Sequence, residues 1–418
     1  MSMNITCQQY DLSLDPDIRQ AAPYEDLQIC FYALRSAELN SLSKLYQDWL
    51  TLFENDPHSD LKQHPDYLAH LLPQLQASFP DRPSYLMLCR QQGIPVAAGI
   101  CCPKDISTKT LRGIGPACQL RGYFLSGNGF LLQEDFQDNE TFLAFLLDTT
   151  LKFCQRQQAT FLFLEDVFID SPLKHGLDQI EGDCLTYSHT GFQPRSLIRF
   201  PNNPADYWNQ FRSRSRRKHR KTIRNNSQLE LVRVTEPDQV ADFLSAAHQV
   251  SLNTWQTQRL GLRVKNNDKE LNELLFLALH GALRSYLLMD GDRPVAFKVS
   301  SQHRGTFHDL EFGYDLDYAR QSPGETLLLL ILEDLTQHDS PRRYDFGEGD
   351  AMYKQRFSSE ITQSGSVVLF PKTVKNRSLL CYLNSSSLLD RSVRKILKAS
   401  GFYTALRQLV RYRKLSSR

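Results

Sequence analysis

The residue types and spacings best suited to chemistry lie in HDLEFGYDLDYARQSPGETLLLLILEDL, His308 to Leu335. A strand pattern runs into the short loop Gln321-Ser322-Pro323-Gly324-Glu325-Thr326, and a helix opens at once. Unpaired backbone N–H groups and the positive end of the helix dipole therefore converge on one point, and an anion belongs there. Gly324 lets a ligand approach the backbone closely, and Pro323 presets the entry to the helix. On the preceding strand, alternation puts Glu311 and Asp315 on the same face as Gly313, on either side of it, with His308 and Asp309 further back.

Gln321-x-x-Gly324-x-Thr326 is close to the Q/R-x-x-G-x-G/A loop with which GNAT acyltransferases hold the pyrophosphate of an acyl-CoA, with threonine at the last small position. Trp255, the GYD of Gly313–Asp315, SPGE, the DFGEGD of Asp345–Asp350 and the YKQRF of Tyr353–Phe357 follow in order. That set resembles the CelD-like acetyltransferases, a GNAT branch associated with cellulose and exopolysaccharide production. The tandem-GNAT Fem transferases, which add amino acids from aminoacyl-tRNA to peptidoglycan precursors, share the K-x-x-F of Lys354–Phe357.

The resemblance implies transfer of an acyl group, acetyl above all, from acyl-CoA to an amine of a sugar, polysaccharide precursor or envelope-related metabolite. Gln321, Ser322, Gly324, Glu325 and Thr326 would hold the CoA. In such a site the strand before the loop splays from its neighbour and a free backbone N–H polarises the thioester carbonyl; Gly313 marks the expected irregularity. The amine must lose a proton, for which Glu311 is the first candidate base and Asp315 the next. Tyr353, with Tyr314 second, would protonate the departing thiolate. Trp255, Asp345, Asp350 and Lys354 are assigned to the substrate pocket, with a core or pocket-wall aromatic and a helix cap as open readings of Trp255 and the two aspartates. An aminoacyl-tRNA-dependent Fem-type transferase and a non-catalytic accessory protein of exopolysaccharide synthesis remain as alternatives.

The elements that must position these residues come from an internal echo. SYLMLCRQQGIPVAAG (Ser84–Gly99) and SYLLMDGDRPVAFK (Ser285–Lys298) each read as strand, turn, Pro-Val-Ala, strand. Around both the pattern is β-α-α-β-β-β-α-β, so the expected fold is α/β: tandem GNAT-like domains with mixed central sheets flanked by helices. Boundaries are expected at 1–200, 204–372 and a basic amphipathic helical tail at 373–418, since RFPNNPADYW (Arg199–Trp208) is rich in turn residues. The first half has no comparable Q-x-x-G loop and is expected not to bind CoA.

The net charge of +2 conceals a segregation: Arg212–Arg224 holds eight basic residues and Arg391–Arg418 nine, neither with an acid, leaving 32 basic against 47 acidic residues elsewhere. A helix over 212–224 would carry Arg212, Arg216, Arg220 and Arg224 as one stripe suited to phosphates or another polyanion. In the resembling families a basic helix stands at the entrance of the second GNAT unit. No helix-turn-helix or zinc module accompanies it, so duplex DNA is not the expected partner. The tail is a candidate for peripheral membrane contact. DFG at Asp345 lacks the other kinase motifs, and the eleven histidines show no metal-ligand spacing, so no metal is expected. Nine scattered cysteines without CxxC, and an N-terminus without a basic and apolar leader, suggest reduced thiols in the cytoplasm.

Overall fold

The computed structural model describes residues 9–11, 26–34, 43–111, 117–261 and 263–399. The chain divides into two compact units, residues 1–193 with 363–418, and residues 194–362.

Unit 1 follows the order β1 (Gln9–Asp11), β2 (Leu27–Leu34), α1 (Lys44–Asn55), α2 (Pro65–Ser78), β3 (Ser84–Gln91), β4 (Ile94–Ser107), β5 (Gln119–Leu125), β6 (Leu131–Leu132), α3 (Glu140–Arg156), β7 (Phe161–Phe168), α4 (Pro172–Gln179) and β8 (Cys184–Tyr187). Antiparallel pairing links β1 to β5 in sequence order; β5 and β7 are parallel across the α3 connection. Helix α3 buries one apolar side, including Phe142, Leu146 and Phe153, against the sheet residues Phe31, Met87 and Tyr123. Trp49 of α1 and Leu68 of α2 cover the other side.

Unit 2 begins with β9 (Gln193–Arg199) and continues with α5 (Ser213–Asn225), β10 (Leu229–Val234), α6 (Val240–Leu252), α7 (Trp255–Leu260), α8 (Asp268–Leu279), β11 (Ser285–Asp290), β12 (Arg293–His303), β13 (Thr306–Tyr314), α9 (Pro323–Asp334), β14 (Arg343–Glu348) and α10 (Met352–Phe357). Its sheet order is β9-β14-β13-β12-β11-β10, with β13 and β14 parallel. Helix α9 packs Leu327, Leu328, Ile331 and Leu332 on one face with Tyr286, Phe307 and Tyr344. Phe243 and Leu244 of α6 and Leu274 of α8 pack with Phe297 and Val299 in a separate core cluster.

Strand β15 (Glu360–Pro371) returns the chain to unit 1, where Ser364 onward pairs with β7 and β8. The units thus divide at Gln193 and Gln363, whereas the sequence placed the boundaries near 200 and 372. Strand pairing, rather than the turn-rich stretch, makes the difference: β9 pairs with β14 inside unit 2, and β15 closes unit 1.

The expected repeat is present as two antiparallel hairpins. Each carries a register shift just before the residue opposite its proline, Arg90 with Pro95 and Met289 with Pro294. The expected tail helix runs over α11 (Val374–Ala399); Leu383 is fully buried with Phe161, Val368 and Phe370, so this part docks on unit 1. Its continuation through Gly401, Phe402 and Leu406 lies outside the described residues. Cysteines 30, 89, 101, 102, 154 and 184 are buried free thiols, and Cys118 and Cys381 exposed ones. No helix among the described residues is long and apolar enough to cross a membrane.

Candidate active site

The parallel strands β13 and β14 pair at Thr306–Arg343, Phe307–Tyr344 and His308–Asp345, and no further. Strand β13 nevertheless continues to Tyr314, so the two strands splay beyond His308. On its other edge β13 slips register against β12: Ser300 lies opposite Asp309 and Val299 opposite Glu311, which leaves Leu310 as the extra residue of a bulge. The irregularity therefore falls at Leu310, not at the expected Gly313, which pairs in register with Phe297. Gly313 is small for another reason: a Cβ there would stand 2.6 Å from the Phe297 ring and 3.0 Å from Thr254.

The bulge decides which side each group serves. Phe307, Phe312 and Tyr314 pack with the α9 leucines, and Asp309 meets Lys298 of β12 on that side. Glu311 lies opposite Val299, whose side chain belongs to the cluster of α6 and α8. A bulge resets strand alternation, so Asp309 and Glu311 face opposite ways although both are odd-numbered.

A cavity of about 760 Å³ opens on the α9 side of the splay. Phe312 and Tyr314 form one wall, Gly324 and Glu325 of α9 another, and Tyr353 and Arg356 of α10 a third, with Lys298 also in the lining. At the start of α9, Ser322 adopts the left-handed conformation (φ 54°) and its side chain caps nothing. The N–H groups of Glu325 and Thr326 turn back to the Ser322 carbonyl at 3.1 Å each. Pro323 has no N–H, and that of Gly324 has no acceptor among the described residues. The start of α9 thus keeps one open N–H, that of Gly324, facing the cavity it lines. Gly324 is required by a neighbour as well, since a Cβ would stand 2.6 Å from the Phe312 ring.

Thr326 is not a ligand group. It is fully buried; its hydroxyl donates to the Ser322 carbonyl at 3.2 Å and accepts from Asn226 Nδ2 at 2.9 Å. Asn226 Nδ2 also donates to the Gln321 carbonyl at 2.9 Å, so the residue that ends α5 fastens the loop. The Gln321 side chain is exposed and accepts from Gln228 at 3.3 Å. Glu325 pairs with Arg356 at 2.7 Å across the cavity mouth.

The candidate acids and bases separate by environment. Glu311 is exposed in its residue as a whole, but partial desolvation raises its carboxyl pKa, with the charge of Glu270 adding to the effect. That direction suits a base working near neutral pH. Asp315 is a different group from the one expected. Although burial pushes its pKa up, the Asp317 N–H, Arg293 and Asn253 outweigh it and hold the carboxyl below its usual value. Arg293 donates to it at 2.7 Å and Asn253 at 2.6 Å, so it is an anchor rather than a base.

Asp345 is likewise corrected, from substrate ligand or helix cap to ion-pair partner. Arg195 Nε lies 2.9 Å from both carboxylate oxygens and Nη2 lies 2.7 Å from one, and the Gly347 N–H donates at 2.8 Å. Burial raises its pKa, but the Arg195 contacts outweigh burial and lower it. Lys354 spends its ammonium on the carbonyls of Phe346 (2.7 Å), Gly347 (3.3 Å) and Glu348 (2.9 Å), fixing the end of β14 instead of a substrate. Asp350 is exposed, accepts from Gln355 and caps no helix. Trp255, 42% exposed, opens α7 and lies outside the cavity lining.

Tyr353, beyond β14, stands in the cavity wall. Desolvation, with the Asp309 charge behind it, raises its pKa, so the phenol stays protonated. The sequence reading left out Lys298 and the role of Asp309; they form a buried ion pair beside the bulge. A signal was available: the two copies of the hairpin motif end on Gly99 in one and Lys298 in the other.

Helix α5 forms as expected, but only one edge carries the proposed stripe. His219, buried against Phe357 and Phe211, and Asn226 face the body; Arg216 is half-buried, and Arg214, Arg217, Lys218, Arg220, Lys221 and Arg224 are exposed. None of these cations has a carboxylate partner within salt-bridge distance among the described residues.

Residues 209–355 match the family model described as an acetyltransferase (GNAT) domain. No curated protein matches the sequence significantly. Among solved structures, FemX is 11% identical with a TM-score of 0.53, covering 77% of this chain and 95% of its own. The C-terminal domain of a lysylphosphatidylglycerol synthetase from Agrobacterium fabrum is 13% identical (TM-score 0.47; 86% and 97% covered). A tandem GNAT protein of clavulanic acid biosynthesis is 10% identical (TM-score 0.45; 81% and 98% covered). The fold is a tandem of GNAT-like units, and residues 209–355 of the second unit match a GNAT acetyltransferase domain.

Proposed function

We propose that unit 2 binds an acyl-CoA, acetyl-CoA in the first instance, and passes the acyl group to an amine of a sugar, polysaccharide precursor or envelope-related metabolite. The observation that supports this reading most is the splay of β13 from β14 beside the uncapped start of α9. The pyrophosphate sits at Gly324, with Ser322 and Glu325 beside it, and the pantetheine chain lies along Phe312 and Tyr314. The amine comes from the Glu311 side of β13. Glu311 takes the proton, nitrogen attacks the thioester carbonyl, and collapse of the tetrahedral adduct breaks the C–S bond. Tyr353 gives its proton to the sulfur. No metal takes part in this scheme.

The test is release of free thiol from acetyl-CoA with glucosamine as the acceptor, compared between the wild type and Tyr353→Phe. The expected result is amine-dependent release that falls at least about tenfold in the variant. CoA binding without release from any amino sugar would point to the accessory-protein reading instead.

Helix α5 supports a second reading, in which the donor is an aminoacyl-tRNA. Six exposed, unpaired cations exceed what one CoA phosphate needs, and Asn226 ties that helix to the loop at the cavity. Polyanion binding releases counterions, so charged tRNA would bind with a steep salt dependence that Arg217→Glu with Lys221→Glu flattens. A gel-shift series in rising salt showing no tRNA complex would remove this reading.

A further inference from the structure

Lys298 is 2% exposed and lines the cavity, yet its contacts are incomplete. An ammonium has three donors. One goes to Asp309, and Nζ stands 4.9 Å from the Phe312 ring centroid. The other two N–H groups have no acceptor among the described residues. A buried polar group without a partner is costly, so a ligand that supplies an acceptor is strongly favoured there.

Charge points the same way. Lys298, Lys354 and Arg195 share their electrostatic neighbourhood with Asp309 and Asp345, three cations to two carboxylates. A single monoanion would balance the group. Position identifies which part of a ligand reaches it. Asp309 follows the last β13–β14 pair, His308–Asp345, at the closed end of the splay and holds the ammonium of Lys298, whose backbone lies opposite Phe312, whereas the α9 loop follows the other end of β13. A donor with its phosphates at that loop and its chain laid back along β13 brings its acyl tip to Lys298.

We infer that the cavity is built for a short acyl group that ends in a carboxylate, held by the two free donors of Lys298. This rests on the acyl-CoA reading above and specifies its acyl group as malonyl- or succinyl-like rather than plain acetyl. Asp309 is then a positioning residue, fixing the ammonium on the cavity side of the bulge.

The experiment is calorimetric titration of the full chain with CoA, butyryl-CoA and succinyl-CoA; the last two differ chiefly in a terminal carboxylate. A charged hydrogen bond predicts succinyl-CoA binding about 10- to 100-fold tighter than butyryl-CoA. Lys298→Met should erase the preference and keep affinity for butyryl-CoA. Because that change strands Asp309, Lys298→Met with Asp309→Asn provides a neutral pair, and a thermal melt checks its folding. Lys298→Arg should retain part of the preference. Equal binding of the two acyl-CoAs by the wild type, or a preference that outlives Lys298, overturns the inference while leaving the acyl-CoA reading intact. Failure of CoA and both thioesters to bind overturns both.

Discussion

The two units share one pattern of strands and helices, and they differ at the place where a ligand would enter. In unit 1, β5 stays paired with β7 from Gly122–Phe161 to Leu125–Leu164, the last residue of β5, and its pairing with β4 has no slip. In unit 2 the corresponding parallel pair stops after three residue pairs, and β13 itself carries the Leu310 bulge against β12. The repeat aligns Lys298 with Gly99, and at Gly99 the Phe130 ring occupies the space, 2.7 Å from where a Cβ would stand.

The helix starts differ too. Asn139 caps α3 through the Phe142 N–H at 2.9 Å, and Glu134, Asp135, Asp138 and Glu140 line a shallow cavity there, a poor setting for phosphate. Ser322 leaves α9 uncapped. One fold therefore presents a closed, plugged cleft in one copy and an open one in the other. A few residues of strand pairing and one aromatic ring separate the two.

Substitutions in either unit bear on this contrast. The largest effect is expected at Glu311. Glu311→Gln should lower turnover about 10²- to 10⁴-fold with little change in CoA affinity. Because its pKa is raised, wild-type activity should climb with pH as the carboxyl deprotonates, and the variant's pH–rate profile should lose that limb. A rate within about twofold of wild type would place the base elsewhere.

Next is Asp345, the last residue to pair before the splay. Asp345→Asn strands the buried Arg195 guanidinium and should cost about 3–5 kcal/mol in denaturant unfolding. The folded pKa of Asp345 is depressed, so its contribution is present above the ordinary aspartate value near 4 and is lost as pH falls through the folded one. Acid unfolding identical in variant and wild type would remove the clamp from the account. Phe130→Ala should cost about 3 kcal/mol by leaving a cavity, yet it should add no second CoA site, because the zipped strands and acidic helix start remain. Smallest is Asn139→Ala, which should lower stability by about 1 kcal/mol through loss of a cap and leave CoA affinity unchanged.

The parts of the site legible in the sequence are those set by local pattern: the loop before α9 and the repeated hairpin. Loop and helix start depend on residues a few positions apart, where Pro323 and Gly324 speak directly. The bulge does not, since the slip at Leu310 is a property of pairing between two strands and no residue type announces it. The same holds for Asp345, whose partner Arg195 lies 150 residues away in sequence. Thr326 looked like a ligand group because it occupies a motif position, but it serves Asn226, which only the folded chain brings near. The unit boundary was obscured for the same reason, as β9 and β15 are assigned by their neighbours in the sheet.

Stoichiometry tests the contrast between the units most directly. Calorimetric titration of the intact chain with CoA should give one site per chain, and Gly324→Val, which puts a side chain against Phe312 at the start of α9, should remove it. Two equivalent sites per chain, or one site untouched by that substitution, would contradict the assignment of the open cleft in unit 2 as the place where the acyl donor binds.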